Sequence, residues 1–520
     1  MERSWTRWPE SYLTGVTLIA AALMLAAPLW CVWAPAMPDY PAHLASFALI
    51  EQGTGNSFYR LHWDFVPNLA SEVLVPWLAR LTGLVAATKL FLTAAIFLWV
   101  LGPGAVHRAL YGRTGIAPLF GSFFAYNANF IWGFFNYYFS AGLSFAVFAA
   151  WIATDKHKPI RRLVYFTIAV TVVYFCHVFA AATLLLMVAG FEVAQNFRLE
   201  NRDPTSLIRR AAYVAFVYVP SGLAFLILKP HGEGEEAVIF NLADTMRDRF
   251  ESLVQHTFGD SAYVLPIALF AGLGLALYLR KARLHPAMWG TLALLLFGAI
   301  FAPEWAFGGW AVHLRLPAVF GAMLFASTEL PMKPATRSEL VGVVLAVIGW
   351  SAVTLAQSWL VYDGQFREFQ AALEEVPRGA RMLTVLDGDA IGDRPDQPYW
   401  HMAEFAVPER GVFTPLLFTT RGQHVVQLNP PYEKYAAASA QQGSPPDVDE
   451  LGFLVRGQMT ADEDVQNDMP YLNHFQCHFD IAVVVHLDGK RTPVPSMLRL
   501  RHAGTFFSFY DILPDGSCRR

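Results

Sequence analysis

The sequence predicts an α-helical polytopic membrane protein of about 11 transmembrane helices, followed by a C-terminal extracytoplasmic α/β domain. Three observations carry that prediction. Of 520 residues, 55% are hydrophobic and only 15% charged, against about 25% charged in soluble proteins, and the mean hydropathy is +0.35. Before residue 360 the apolar residues gather into long runs joined by polar connections. From residue 361 onward the composition shifts to Pro, Gly, Asp and Gln, broken by short β-branched and aromatic runs. A net charge of −4, with no basic domain or nucleic-acid motif, sets nucleic-acid binding aside.

The spans are read at residues 11–33, 84–106, 115–129, 136–153, 162–177, 178–195, 210–228, 262–279, 285–302, 314–330 and 338–360. Several fall short of the roughly 20 residues of a full crossing. Between 115 and 177 the polar sequence Tyr126-Asn127-Ala128-Asn129 favours tightly turned short helices. The first run, about 23 residues, exceeds the roughly 7–15 of a signal-peptide core and is expected to stay as an anchor. Trp30 beside Cys31 argues against lipoprotein processing. With the N-terminus placed in the cytoplasm, the inner loops hold 17 Lys or Arg. The outer loops before residue 361 hold six: Arg60, Arg80, Lys229, Arg247, Arg249 and Arg315. That asymmetry fits an odd number of spans with residues 361–520 outside a bacterial inner membrane.

Residues 1–360 are thus read as the membrane domain. The loop 34–83 carries two interfacial helices, Pro41–Gln52 and Asn68–Thr82. A charged helix is expected at Leu242–His256. In residues 361–520, a helix over Gly364–Glu375 leaves the membrane. Strands are expected at Arg381–Leu386, Val412–Phe418, Val425–Leu428, Phe479–His486 and Phe506–Ile512, with a loop at 437–450. Cys31 and Cys176 lie in or near the membrane. Cys477 and Cys518 share the outer domain, where an oxidising compartment permits a disulfide, though spacing alone does not fix the pairing.

The most informative stretch is Pro38-Asp39-Tyr40-Pro41-Ala42-His43-Leu44, directly after the first span. If Pro41 opens a helix, Asp39 and His43 share a face of it. A carboxylate and an imidazole at the membrane surface suggest acid/base chemistry on a lipid-linked substrate. The chain has no P-loop, dinucleotide-binding glycine fingerprint, Gly-x-Ser-x-Gly elbow or His-Glu-x-x-His helix. An outer compartment holds no nucleotide sugars, so an enzyme facing it needs a donor delivered by the membrane.

On that Asp after the first span, the eleven spans, the interfacial loop helices and the outer domain, the chain resembles the GT-C superfamily of membrane glycosyltransferases. The resemblance implies a polyprenyl-phosphate-linked sugar donor and a glycan, lipid or protein acceptor, with membrane lipids as surroundings. Relatives with an Asp-Glu or Asp-Asp pair differ from this chain, where Tyr40 follows Asp39. No cofactor is assigned, and a divalent metal is left open.

Asp39 is the first candidate, as the base that removes the acceptor hydroxyl proton in an inverting transfer. Burial beside lipid would raise its pKa toward that task; the structural alternative is a helix cap. His43 would orient Asp39, bind phosphate or touch the acceptor. Arg315 and His313, at the outer start of a span, would bind the donor phosphate, and Glu304 would be a second carboxylate. Lys89 lies in a span near its outer end and either snorkels or reaches the substrate. His177 sits at an outer helix junction. Asn127, Asn129, Trp132 and Asn136 form a polar, aromatic outer turn suited to sugars. The alternative function is a non-catalytic membrane subunit or a transporter in polysaccharide assembly or export. A transporter, however, places its charges near the midplane rather than at the outer surface.

Overall fold

Apolar runs in lipid can satisfy their backbone only as helices, and each of the eleven predicted runs is helical in the computed structural model. The structure describes residues 10–53, 56–63, 66–154, 158–198, 204–228, 238–243, 245–255, 263–307, 309–388, 398–435, 445–456, 470–487, 489, 491–514 and 518. Among them, seven helices are long and apolar enough to cross a membrane. They are Glu10–Cys31, Leu84–Tyr111, Phe135–Ala153, Pro159–Cys176, Val178–Arg198, Pro204–Leu228 and Pro334–Ala372. Outward-facing residues such as Ile160, Val164, Ile168 and Val172 repeat every fourth position along one of them and are exposed, as a lipid-facing stripe should be.

The remaining four runs form shorter helices. Val264–Tyr278, Trp289–Phe301 and Leu316–Ala326 are regular. The run predicted at 115–129 breaks into Ala117–Gly121 and a 3₁₀ turn, Ser122–Tyr126. Its ten helical residues rise about 17 Å, little more than half of a hydrocarbon thickness of about 30 Å. The Tyr126 hydroxyl accordingly donates to the Leu25 carbonyl (2.5 Å), two turns before the first helix ends. The connection that follows, residues 127–134, therefore starts inside the bundle. Small residues allow such short helices to pack: a Cβ on Gly190 would sit 2.4 Å from the Gly290 backbone.

The connections alternate between two ends. At one end Arg283–Leu284 pairs with Thr328–Glu329, Arg113 binds Glu329 (2.7 Å), and the Tyr111 hydroxyl donates to Ser327 (2.9 Å). At the other end the Asp39 amide donates to the Trp132 carbonyl (3.0 Å), Leu69 to Phe175 (2.9 Å) and Ala128 to Ser252 (3.0 Å). These two groups are the predicted inner and outer loops.

The C-terminal residues sit on the second end. Helix Pro334–Ala372, 39 residues, is about 58 Å long and continues past the bundle. There Phe366 meets Phe405 (5.3 Å) and Phe369 meets Phe507 (5.1 Å). The sheet beyond has four strands in the order Met382–Asp387, Ile481–His486, Phe507–Ile512, Leu498–Ala503; the first pair is parallel and the rest antiparallel. Leu498–Ala503 escapes a hydrophobic reading because it is an edge strand bearing Arg499, Arg501 and His502.

Three elements differ from expectation. Val412–Phe418 is irregular apart from one bridge, Arg381 to Phe413. Val426–Leu428 joins no main-sheet strand but pairs with Tyr59–Leu61 from the first loop, tying that loop to the C-terminal region. The charged helix is only Met246–Glu251, with 244 and 256 outside the described residues. Helices Tyr40–Gln52 and Ala70–Thr82 match the two interfacial segments. The predicted loop at 437–450 falls largely outside the described residues, and Val448–Arg456 is helical. Cys477 and Cys518 are joined in a disulfide.

Candidate active site

The turn after the first helix sets Asp39. Pro41 opens helix Tyr40–Gln52, and the Asp39 carbonyl accepts its first bond, from His43 (3.0 Å), but the Asp39 side chain caps nothing. It turns toward the C-terminal region, where its Oδ1 lies 3.8 Å from His401 Nε2. His401 Nδ1 lies 3.9 Å from Glu404 Oε1, which also accepts from Thr414 Oγ1 (3.0 Å). Both histidine contacts are longer than hydrogen bonds. Burial pushes the Asp39 carboxyl up to about 6, partly opposed by His401 and His424. His401 is raised although its burial acts against this, because Glu404 and Asp39 favour its charged form.

The predicted Asp39–His43 pair does not form. His43 stacks between Phe47 (5.8 Å) and Phe135 (4.5 Å) and bonds the Gly133 backbone. Burial, with His424 and His401, lowers it to about 3, which favours its neutral form. Phe418 joins three imidazoles, with its ring 4.9 Å from His401, 5.2 Å from His43 and 5.4 Å from His424. His424 is held in turn by buried Glu72 through Nδ1 (3.1 Å), and the other Glu72 oxygen accepts from the Val425 amide (3.2 Å).

The second charged group is Arg315. It is buried and has no carboxylate partner among the described residues. Its Nη1 lies 3.1 Å from His177 Nε2, and its Nη2 donates to the Trp310 carbonyl (3.2 Å). Its guanidinium covers the rings of Phe179 (4.4 Å), Tyr137 (5.2 Å) and Phe134 (5.7 Å). Its Nε has no hydrogen-bond partner among the described residues, and neither has Nδ1 of neighbouring His313.

The connection 127–134 joins the two groups. Trp132 holds the Asp39 amide through its carbonyl. Gly133, at φ +93°, lets Asp39 come so close that a Cβ there would meet the Asp39 Cβ at 3.2 Å. Trp132 packs on Trp310 (5.1 Å) and Trp400 (6.0 Å), and Phe134 on Trp310 (6.5 Å). The result is an aromatic wall with Asp39 and His401 at one edge and Arg315 at the other. Trp400 Nε1 and Asn129 Oδ1 point from it without hydrogen-bond partners among the described residues.

Several predicted residues are occupied structurally. Asn127 caps its short helix by accepting from the Asn129 amide (2.9 Å). Asn136 accepts from the Ser71 amide (2.6 Å) and donates to Asn68 (2.8 Å). Lys89 donates to the Val32 carbonyl (2.5 Å) and lies over Trp30, so it closes the C-terminus of the first helix rather than facing Arg315. The Glu304 backbone fixes its loop through Ile239 (2.8 Å) and Val312 (3.1 Å). Buried Arg249, near Glu304 and His313, donates to Ala302 (2.8 Å). No group of three His, Cys, Asp or Glu side chains suited to a metal ion occurs among the described residues.

Sequence reasoning missed His401, Glu404, Glu72 and His424. The spacing His401-x-x-Glu404 was visible, but nothing in it signals that residues 360 positions downstream return to Asp39.

No family model matches the chain, and no curated protein matches it. Among solved structures it is similar to ArnT from Cupriavidus metallidurans. The crystal structure bound to undecaprenyl phosphate has 12% identity and a TM-score of 0.48, covering 97% of this chain and 99% of that one. The apo crystal structure has 11% identity, with the same TM-score and coverage.

Proposed function

We propose that this multi-pass membrane protein is an inverting glycosyltransferase of the GT-C kind. It moves a sugar from a polyprenyl-phosphate donor to an acceptor glycan, lipid or protein outside a bacterial inner membrane. The observation that carries this reading is the pairing, across one aromatic wall, of a half-buried carboxylate whose side chain caps nothing, Asp39, with Arg315, a buried guanidinium that lacks a carboxylate partner among the described residues.

The chemistry follows from the two edges. Asp39 takes the proton of the acceptor hydroxyl as that oxygen bonds to the anomeric carbon. The bond from that carbon to the phosphate oxygen breaks, and its electron pair leaves with the phosphate. The carrier changes from a phosphodiester to a monoester and gains negative charge, which Arg315 offsets in a site of low dielectric. Of the five N–H donors of arginine, the one on Nε and those not used by His177 and Trp310 stay available for phosphate oxygens. Trp132, Trp310 and Trp400 offer ring faces to the sugar between the edges. The excess of Lys and Arg in the loops of the opposite end supports an outside position for this end, which suits a donor carried by lipid.

The test is turnover in proteoliposomes supplied with a panel of polyprenyl-phosphate sugars, following release of the free polyprenyl phosphate. The native chain should turn over at least one donor, and Asp39→Asn and Arg315→Gln should not. Full activity of Asp39→Asn would remove the base assignment.

A further inference from the structure

The geometry points to His401, delivered by the C-terminal region and held by Glu404, as the counter-ion that keeps Asp39 in its basic form. This rests on Asp39 being the base proposed above, and it makes residues 398–414 part of the transfer site rather than only an acceptor-binding appendage. His401 is then a positioning residue, because it acts through Asp39.

The placement of the neighbouring charges leaves this task to His401. A buried carboxylate must have its charge compensated, and each other basic group near Asp39 is engaged elsewhere. His43, on the helix that Asp39 begins, faces Phe47, Phe135 and the Gly133 backbone. His424 is bound by Glu72 of helix Ala70–Thr82. The segment Ala128–Phe135, which packs on Asp39 through Trp132 and Gly133, carries no titratable side chain. Lys89 is committed to Val32, and Arg315 lies beyond the aromatic wall. His401, 3.8 Å away, is the basic group turned to the carboxylate.

Glu404 belongs to the same device. The turn Met402–Phe405 is a 3₁₀ helix, in which residues three apart eclipse each other, so Glu404 comes beneath His401. Thr414 fixes Glu404 Oε1, while Oε2 has no hydrogen-bond partner among the described residues. The Asp39–His401 and His401–Glu404 contacts are each about 1 Å too long for hydrogen bonds, and catalytic contacts commonly tighten only when substrate is bound. A shift of His401 by that amount toward Asp39 would close the first contact, and Glu404 following it would close the second.

The experiment is an infrared difference titration of the full-length chain in lipid, following the carboxylic C=O band that Asp39→Asn abolishes. It needs no substrate, so it stands apart from whether the chain transfers sugar. An opposite charge at this distance lowers a carboxyl by about 1–3 units. His401→Gln should therefore raise the Asp39 midpoint by at least about one pH unit, and Glu404→Gln should raise it by less. His401→Lys should return it toward the native value, which a packing role would not do. A native midpoint in His401→Gln overturns the counter-ion assignment even if transfer is lost. Loss of transfer in Asp39→Asn alone would keep the base and not this device.

Discussion

Of the acid–histidine networks among the described residues, two are built oppositely. In the C-terminal sheet, Asp387, His486 and Ser508 come from three adjacent strands. His486 Nδ1 is 2.7 Å from Asp387 Oδ2 and its Nε2 is 3.0 Å from the Ser508 hydroxyl, while the Thr492 amide donates to the same carboxylate (3.0 Å). At the bundle end, Asp39, His401 and Glu404 stand 3.8 and 3.9 Å apart. The first set has the residue types of a hydrolase triad, yet Ser508 is fully buried near the start of its strand and no substrate carbonyl can approach it. Its short bonds hold His486 in one geometry, although Asp387 Oδ1 has no hydrogen-bond partner among the described residues. The second set leaves Glu404 Oε2 and His401 Nδ1 unpartnered among the described residues. Residue type does not separate the two networks; contact length and access do.

Substitutions should pull the two networks apart. The largest effect is expected from Asp39→Asn, which removes the proposed base and should lower transfer about 10²–10⁴-fold. Because burial raises this carboxyl, the folded state holds its proton more tightly than the unfolded chain does. Its charge therefore costs stability above about pH 6. The Asn variant should melt no lower than the native chain at pH 7, and a thermal scan beside the proteoliposome assay checks both halves. Arg315→Lys comes next. Lysine keeps the charge but loses the planar fork and its stacking on Phe179, so kcat/KM for donor should fall about tenfold or more, at about 1.4 kcal/mol per decade.

Much of the architecture was legible because lipid restricts the chain to helices: all eleven apolar runs are helical, and the alternation of loops follows the basic residues. Asp39 was legible from Pro41 and the end of the first span. The rest depended on long-range packing. Val425–Leu428 reads as a strand, but nothing local says that it pairs with Tyr59–Leu61. That pairing ties the Asp39 loop to the region that carries His401 and His424. Periodicity put His43 beside Asp39 on a helix face, yet aromatic stacking on Phe135 turned it away. The short helix at 117–126 lowered Trp132 and Gly133 into the bundle, which composition alone did not reveal.

A pH profile sharpens the comparison with a smaller effect. Asp39 must be ionised to act, so transfer should fall about tenfold for each unit below about pH 6 and recover on return to neutral pH. Stopped-time assays between pH 5 and 8, with the donor saturating, would show this limb. A rate that is flat down to pH 5 would separate Asp39 from the chemistry.

The smallest effect on transfer is expected from the tight network. Asp387 is held below the usual carboxylate range, because the bonds from Thr492 and His486 outweigh its burial. A lowered folded value gives stability that is present above the unfolded pKa of about 3.9 and is lost as pH falls through the folded value. The clamp therefore stays intact at pH 5, where Asp39 is already protonated, so acid should silence the site before it loosens the sheet. Asp387→Asn removes the charge that His486 and the Thr492 amide bond to, at a cost of about 1–3 kcal/mol, and should lower the melting temperature. Transfer per folded molecule should stay near native, because neither His486 nor Ser508 reaches the aromatic wall. A large loss of transfer without a fall in melting temperature would mean that the sheet network takes part in the chemistry, and the two networks would then differ in tightness but not in role.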